Sequence, residues 1–328
     1  MRNLITDVPG LRVGHADDAK LGSGVTAVVF DRAVTASVDL RGGGPGTRET
    51  ALLDPAQTVE GIDAICLAGG SAFGLDAASG VQAYLREQGR GFVVREARVP
   101  IVPAAILFDL LSGGEKGWGR YPPYRELGYA AAVNAGRDFA LGSAGAGLGA
   151  TTLNLKGGIG SASAMTRDGV TVGALVAVNA AGSVTIGTRA QFWAAPFERD
   201  GEFGGLGSPA SLNEDDLAFR SKGAAGQSTT LAVIATDARL SKAQCHRLAV
   251  MAQTGMARAI YPVHTPLDGD VVFAAATGDR PLADPVYGLS ELGSLAANVL
   301  ARAITRGVYE ATALPFLGAL PSWKDRFG

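Results

Sequence analysis

Forty-six of the 328 residues are glycine, and they fall between short apolar, β-branched runs rather than in a polar tract of their own. Glycine weakens the interior of a helix or strand but permits sharp reversals and close backbone approach. This distribution therefore predicts many tight turns between buried strands. No Pro- or Ser-rich linker and no shift of composition marks a boundary, so one domain over residues 1–328 is expected. With 47% hydrophobic and 18% charged residues, the chain can bury a large core and lacks the signature of disorder.

Periodicity places the elements. Thr26 to Phe30, Ala33 to Leu40 and Asp63 to Leu67 read as strands, the last ending at Gly69-Gly70. A helix from Phe73 to about Gln88 follows, with Leu75, Ala78, Val81 and Leu85 on one face. A short helix over Glu126 to Asn134 precedes a glycine-rich loop from Gly142 to Gly149, and strands are expected at Ile159 to Met165, Val170 to Val178 and Val184 to Gly187. Phe192 to Gln227 is the least hydrophobic stretch and is expected to be exposed. Beyond it come a strand to Thr236, a helix opened by the capping-box pair Ser241 and Gln244, a strand over Val271 to Thr277, and a long helix from about Leu289 to Ala311. Strands interleaved with amphipathic helices argue for an α/β sandwich with sheets within and helices outside.

Charge narrows the possible partners. The net charge of −2, from 29 basic and 31 acidic residues, is spread along the chain and offers neither a basic stripe for nucleic acid nor a polybasic face for a membrane. No run reaches the roughly 20 apolar residues of a membrane span, and the start has no apolar segment of signal-peptide length. A cytoplasmic protein acting on a small molecule or short peptide is expected. Cys66 and Cys245 lack CxxC spacing and zinc-ligand neighbours, so both read as buried thiols and no metal is expected. The glycine clusters fit neither GxxxxGK[ST] nor the dinucleotide fingerprint, and more naturally allow close backbone approach.

Thr229 carries the sharpest chemical signal. In Gly226-Gln227-Ser228-Thr229-Thr230, followed by Leu231-Ala232-Val233-Ile234, a hydroxyl sits where small polar residues enter a buried strand. Were the Ser228–Thr229 bond cut, the freed α-amine, of ordinary pKa near 7.7 to 8.0, would lie close enough to the same residue's Oγ1 to serve as its base. No histidine is then required. The chain has only His15, His246 and His264 and no GxSxG elbow, which argues against a Ser-His-Asp triad. Asp268 and Asp270 are two residues apart and point to one side of an extended chain; paired carboxylates can orient an ammonium, although turn residues fit the same pattern. Asn179 after a strand also suits a turn, and Lys156 before Gly157-Gly158 also suits a solvated surface.

Segments spread over nearly the whole chain shift these readings. They are DLRGGGPGTRE from Asp39, LAGGSAFGLDAA from Leu67, PIVPAAILFD from Pro100, GAGLGA from Gly145 running on to Lys156-Gly157-Gly158, the Ser228-Thr229-Thr230 junction, and HTPLDGD from His264. In type and order the sequence resembles the family of self-processing aminopeptidases that includes D-aminopeptidase, the β-peptidyl aminopeptidases and nylon-oligomer hydrolase.

That resemblance implies a four-layer αββα sandwich of the N-terminal-nucleophile type, self-cleaved into 1–228 and 229–328, working without a cofactor as a homotetramer. It implies Thr229 as the nucleophile and Asn179 as an amide donor to the oxyanion. Lys156 becomes a cation near the nucleophile, with Asp268 and Asp270 positioning the Thr229 hydroxyl and amine. Tyr121 or Tyr129 is expected to contact substrate. The expected reaction is release of small N-terminal residues, D- or β-amino acids among them, from short peptides or amides through an acyl-enzyme. An acyltransferase of the ornithine acetyltransferase type and an uncleaved binding homologue are the alternatives. Ser228 stands where the family often has asparagine or glycine, which leaves a cut one residue earlier, by Ser228 on Gln227, open.

Overall fold

In the computed structural model, which describes residues 1–222 and 228–328, the strands β1 (Leu11–Asp18), β2 (Ser23–Leu40), β3 (Gly46–Arg48) and β4 (Gly61–Ala68) come first. Helix α1 (Ala77–Glu87), the hairpin β5 (Phe92–Val94) and β6 (Ala97–Val99), β7 (Ala104–Ile106) and α2 (Tyr124–Val133) follow. The second half contains β8 (Ile159–Met165), β9 (Thr171–Ala177), β10 (Leu231–Ala238), α3 (Lys242–Ala259), β11 (Val271–Arg280), α4 (Tyr287–Tyr309) and α5 (Trp323–Phe327).

Nine strands form one sheet in the order β3-β7-β4-β2-β11-β10-β9-β8, with β1 paired to β2. The long strand β2 links its two halves. Its first half pairs with β1, from Asp18↔Ser23 to Leu11↔Phe30, and its second half with β11, from Ala276↔Thr35 to Val271↔Leu40. Between them the pairing with β4 shifts register from Val29 to Val34, and Asp31, Arg32 and Ala33 are exposed. The sheet is thereby folded over on itself.

Side-chain alternation then builds three cores between four layers. Val28, Phe30, Leu231, Val233, Val271 and Phe273 fill the space between the two sheet halves. Their neighbours on the other face, Ala232, Ile234, Val272 and Ala274, pack under α3 and α4 with Leu248, Ala252 and Leu300. Ala27, Val29, Ala64 and Cys66 pack under α1 and α2 with Val81, Leu85 and Tyr124. The result is the expected αββα sandwich. α3 opens with the expected capping box, Ser241 Oγ accepting from Gln244 N at 3.2 Å and Gln244 Oε1 from Ser241 N at 2.9 Å.

Four local expectations are corrected. The runs at 26–30 and 33–40 are one strand. The helix expected from Phe73 starts as a 3-10 turn over Ser71–Asp76 and becomes α-helical at Ala77. The run Val184 to Gly187 is buried but is not a strand; Ser183 Oγ bonds the Thr185 backbone at both ends, and Ile186 N donates to Gln191 O at 2.9 Å, turning the chain. The stretch from Phe192 is not uniformly exposed either, because Phe192 and Phe203 are buried and pack edge-on, 5.6 Å apart. Its last residues, 223–227, lie outside the described residues.

Candidate active site

Thr229 sits where the central strands end together. The antiparallel register of β10 with β9, Leu231↔Ala177, continues two residues further to bring Thr229 opposite Asn179, and Thr229 N donates to Asn179 O at 2.7 Å. The parallel register of β10 with β11, Leu231↔Val271, continues to Ser228↔Asp268. The same alignment that buries the apolar strand thus brings the Ser-Thr-Thr junction against Asp268-Gly269-Asp270. Ser228, Thr229 and Thr230 are all buried.

The Ser228 carbonyl oxygen is held by two donors. Thr229 Oγ1 donates to it at 2.7 Å, and Gly269 N donates from the adjoining strand, also at 2.7 Å. Gly269 must be glycine for this approach, since a Cβ there would lie 2.6 Å from Thr229 Oγ1 and 2.7 Å from Gly44 O. Among the described residues the flanking hydroxyls, Ser228 Oγ and Thr230 Oγ1, are buried without a hydrogen-bond partner. An unmet buried hydroxyl costs about 1–3 kcal/mol, so the junction is poorly accommodated as an intact chain.

The two aspartates hold different parts of this frame. Asp270 Oδ1 accepts from Thr230 N at 2.8 Å, and its Oδ2 from His264 Nδ1 at 2.8 Å. Asp268 accepts from Ala181 N at 3.0 Å, Thr265 N at 2.9 Å and Thr265 Oγ1 at 2.6 Å. Burial, and then the neighbouring Asp270 charge, push the Asp268 carboxyl above its ordinary value. Asn179 presents its backbone carbonyl to Thr229, while its side chain is tied elsewhere: Oδ1 accepts from Thr151 N at 3.0 Å and Nδ2 donates to Phe108 O at 3.1 Å.

Lys156 is a buried cation in a cage. Its Nζ donates to the carbonyls of Gly147, Ala150 and Gly157 at 2.9, 2.8 and 2.7 Å, which uses all three N–H groups. Burial lowers its pKa to about 7, with Asp109 opposing the shift and Lys222 adding to it. Lys222 is the residue that sequence reading passed over. Its Nζ donates to Thr151 O at 2.7 Å and Asn179 Oδ1 at 3.4 Å, and its N–H to Ala181 O at 3.1 Å. Burial lowers its pKa to about 7 against the pull of Asp268. In sequence it is one lysine in a polar stretch, and only the fold shows its place.

Both lysines line a cavity of about 240 Å³ whose remaining wall includes five leucines and three hydroxyl residues. Thr151 and Phe108, the partners of the Asn179 side chain, line it too. Neither of the two tyrosines expected to meet substrate shares a hydrogen bond with the Thr229 frame among the described residues. Tyr121 is 78% exposed, and Tyr129, on α2, donates to Glu87 at 2.7 Å. Cys66 and Cys245 are buried free thiols, each pushed up to about 12 by desolvation. No helix among the described residues is long and apolar enough to cross a membrane.

A strand-end hydroxyl on a junction joined to Asn179, Asp268 and Asp270 is accompanied by a match to the model of peptidase family S58 over residues 3–318. The chain belongs to peptidase family S58. Among its S58 relatives, an uncharacterized aminopeptidase of Mycobacterium tuberculosis is 46% identical, covering 99% of this chain and 98% of its own. A 6-aminohexanoate-oligomer endohydrolase of Kocuria sp. is 30% identical over 90% of this chain and 80% of its own. The L-aminopeptidase D-Ala-esterase/amidase of Ochrobactrum anthropi, described as a variant of the Ntn hydrolase fold, superposes with a TM-score of 0.71 at 22% identity, covering 99% of this chain and 91% of that one. This S58 protein is a hydrolase of peptide or amide bonds.

The caged lysine gives this S58 chain a distinctive stability profile. Below pH 7 Lys156 is protonated folded and unfolded, and its burial penalty is fully present. Between pH 7 and 10.5 the unfolded chain holds a proton that the folded chain has released, so stability rises with pH, by about 1.4 kcal/mol per unit. Urea unfolding at pH 7 and pH 9, in an uncleaved Thr229→Ala background, should show a larger gain with Lys156 present than in the additional Lys156→Met variant. Parallel profiles would place the Lys156 pKa outside this window.

Proposed function

We propose that the protein is a self-processing N-terminal-nucleophile aminopeptidase that cuts its own Ser228–Thr229 bond and then uses Thr229 to hydrolyse short peptides or amides. The observation that carries the proposal is the Ser228 carbonyl, bonded at once to the Thr229 hydroxyl and to the Gly269 N–H, each at 2.7 Å.

In the first stage Thr229 Oγ1 attacks the Ser228 carbonyl carbon. The Gly269 N–H already points at the oxygen on which negative charge develops, the requirement for electrostatic stabilisation without reorganisation. The C–N bond breaks, the hydroxyl proton passes to the departing nitrogen, and Ser228 is left as an ester on Thr229. Water hydrolyses the ester, giving a Ser228 carboxylate and a free Thr229 amine and hydroxyl. The buried, unpartnered hydroxyls of Ser228 and Thr230 favour this direction, because the cut frees the chain to satisfy them.

In the second stage the Thr229 amine takes the proton of its own hydroxyl, which attacks the substrate carbonyl to form the acyl-enzyme. The Asn179 carbonyl already accepts from the nitrogen that becomes this amine, so the base has a fixed seat. Asp270 anchors the next residue through Thr230 N, Asp268 holds the loop that carries Gly269, and Lys156 supplies positive charge nearby. The amine product leaves, and water releases the acyl group. Relatives named as a 6-aminohexanoate-oligomer endohydrolase and as aminopeptidases support amide substrates, and the aminopeptidase name supports a free amino end.

Intact mass and N-terminal sequencing of the purified protein test the first stage. Two chains, the smaller beginning Thr-Thr-Leu-Ala-Val, are expected. A chain beginning Ser-Thr-Thr would move the nucleophile to Ser228, and one that stays whole while hydrolysing amides would remove self-processing from the mechanism.

A further inference from the structure

A cavity is lined by Phe108 and Thr151, the partners of the Asn179 side chain, and the inference drawn from it rests on the reading of Thr229 given above. Phe108, Leu111, Leu153, Leu314, Leu317 and Leu320 give it an apolar wall, the last three from the segment that follows α4. That segment is fixed over the site, because Lys156 N donates to Pro321 O at 2.8 Å. At about 240 Å³ the cavity falls below the roughly 300–1,000 Å³ of drug-sized sites, and suits one amino-acid-sized group.

Its charge is one-sided. The described lining contains Lys156 and Lys222 and no aspartate or glutamate. Lys156 is saturated by its three carbonyls, whereas the described acceptors of the Lys222 ammonium are two, Thr151 O and Asn179 Oδ1. Below about pH 7, where both lysines are protonated, a substrate ammonium would enter against two cations with no carboxylate in the described lining to receive it. An anion would meet an ammonium that has two acceptors among the described residues and that lines a largely apolar pocket. Lys222 is also held firmly, since Ala181 accepts its backbone N–H and donates to Asp268.

We propose that this cavity binds an aliphatic group ending in a carboxylate, paired with Lys222, so that the preferred substrates are short amides whose leaving amine carries a free carboxylate, such as dipeptides with an aliphatic C-terminal residue. The substrate's free amino end then lies away from the cavity, on the acyl side of the scissile bond. Lys222 is a specificity residue in this assignment, and its contact with Asn179 Oδ1 couples an occupied cavity to the frame around Thr229.

Calorimetric titration of the Thr229→Ala protein with 4-methylpentanoate and with 4-methylpentanamide tests this without requiring self-cleavage or turnover. The carboxylate is expected to bind at least about 10-fold more tightly than the amide, as a charge-assisted contact should. The preference should vanish in Lys222→Met and survive in Lys222→Arg, with thermal unfolding confirming that each variant is folded. Equal binding, a preference for the amide, no binding of either ligand, or a carboxylate preference that persists in folded Lys222→Met would each overturn the assignment. Those results would leave self-processing untouched, and a chain that never cleaves would leave these titrations interpretable.

Discussion

Thr229→Ala is expected to leave the 33.4 kDa chain whole and to reduce amide hydrolysis by about 10⁴-fold or more, the scale on which loss of a nucleophile acts. The substitution removes the only atom that reaches the Ser228 carbonyl from its own residue, Oγ1 at 2.7 Å. It leaves the Thr229 N–H on Asn179 O, so the strand entrance should keep its geometry. Thr229→Ser retains the hydroxyl and should still cleave, more slowly, because it loses the methyl group that fixes the rotamer. Mass spectrometry over a time course separates the variants. Wild-type turnover by an uncleaved Thr229→Ala protein would place the nucleophile elsewhere.

Gly269→Ala should also slow self-processing, although it keeps both the Thr229 hydroxyl and the Gly269 N–H that meets the Ser228 carbonyl. The new methyl would sit 2.6 Å from Thr229 Oγ1 and 2.7 Å from Gly44 O, and both contacts are too short to persist. Because Gly44 belongs to the loop whose N–H donates to Asp268 O at 2.8 Å, the threonine rotamer is the softer partner. A displacement of about 1 Å at a reacting atom costs on the order of 100-fold in rate. The half-life of the precursor should lengthen accordingly, with the circular dichroism spectrum unchanged. Gly44→Ala is the control: the nearest atom to its added methyl is Asp268 O at 3.8 Å, so cleavage should proceed at the wild-type rate. Rapid cleavage by Gly269→Ala would show that the rotamer seen here is not the attacking one.

Much of this arrangement is legible in the residues, because the strands that build the site are the most regular part of the chain. Leu231 to Thr236 and Val271 to Thr277 are apolar runs bounded by polar residues, and their parallel register alone brings Thr229 beside Gly269. Ser241 and Gln244 announce α3 through a local hydrogen-bond pattern that needs no tertiary context. The misreadings have equally physical causes. Val184 to Gly187 carries the β-branched residues of a strand, yet the Ser183 hydroxyl captures the backbone at Thr185 and bends it. Thr26 to Leu40 reads as two strands because Asp31 and Arg32 interrupt the apolar pattern, but those residues lie at the exposed point where β2 passes from one sheet half to the other. Lys222 could not be singled out, since its burial comes from residues that are distant in sequence, Thr151, Asn179 and Ala181. Tyr121 and Tyr129 rest on resemblance alone; the structure shows Tyr121 exposed and Tyr129 bonded to Glu87.

The strand order also bears on what a severed chain would be. β10 and β11 lie between β2 and β9 in the middle of the sheet, and α3 and α4 cover that half of it. A break at Ser228–Thr229 would detach no lobe. The 229–328 piece would keep backbone ladders on both sides, and withdrawing it would open two of the three cores at once. Each piece made separately would expose strand edges and opened cores, so the sheet is expected to assemble from one polypeptide before its covalent continuity is surrendered.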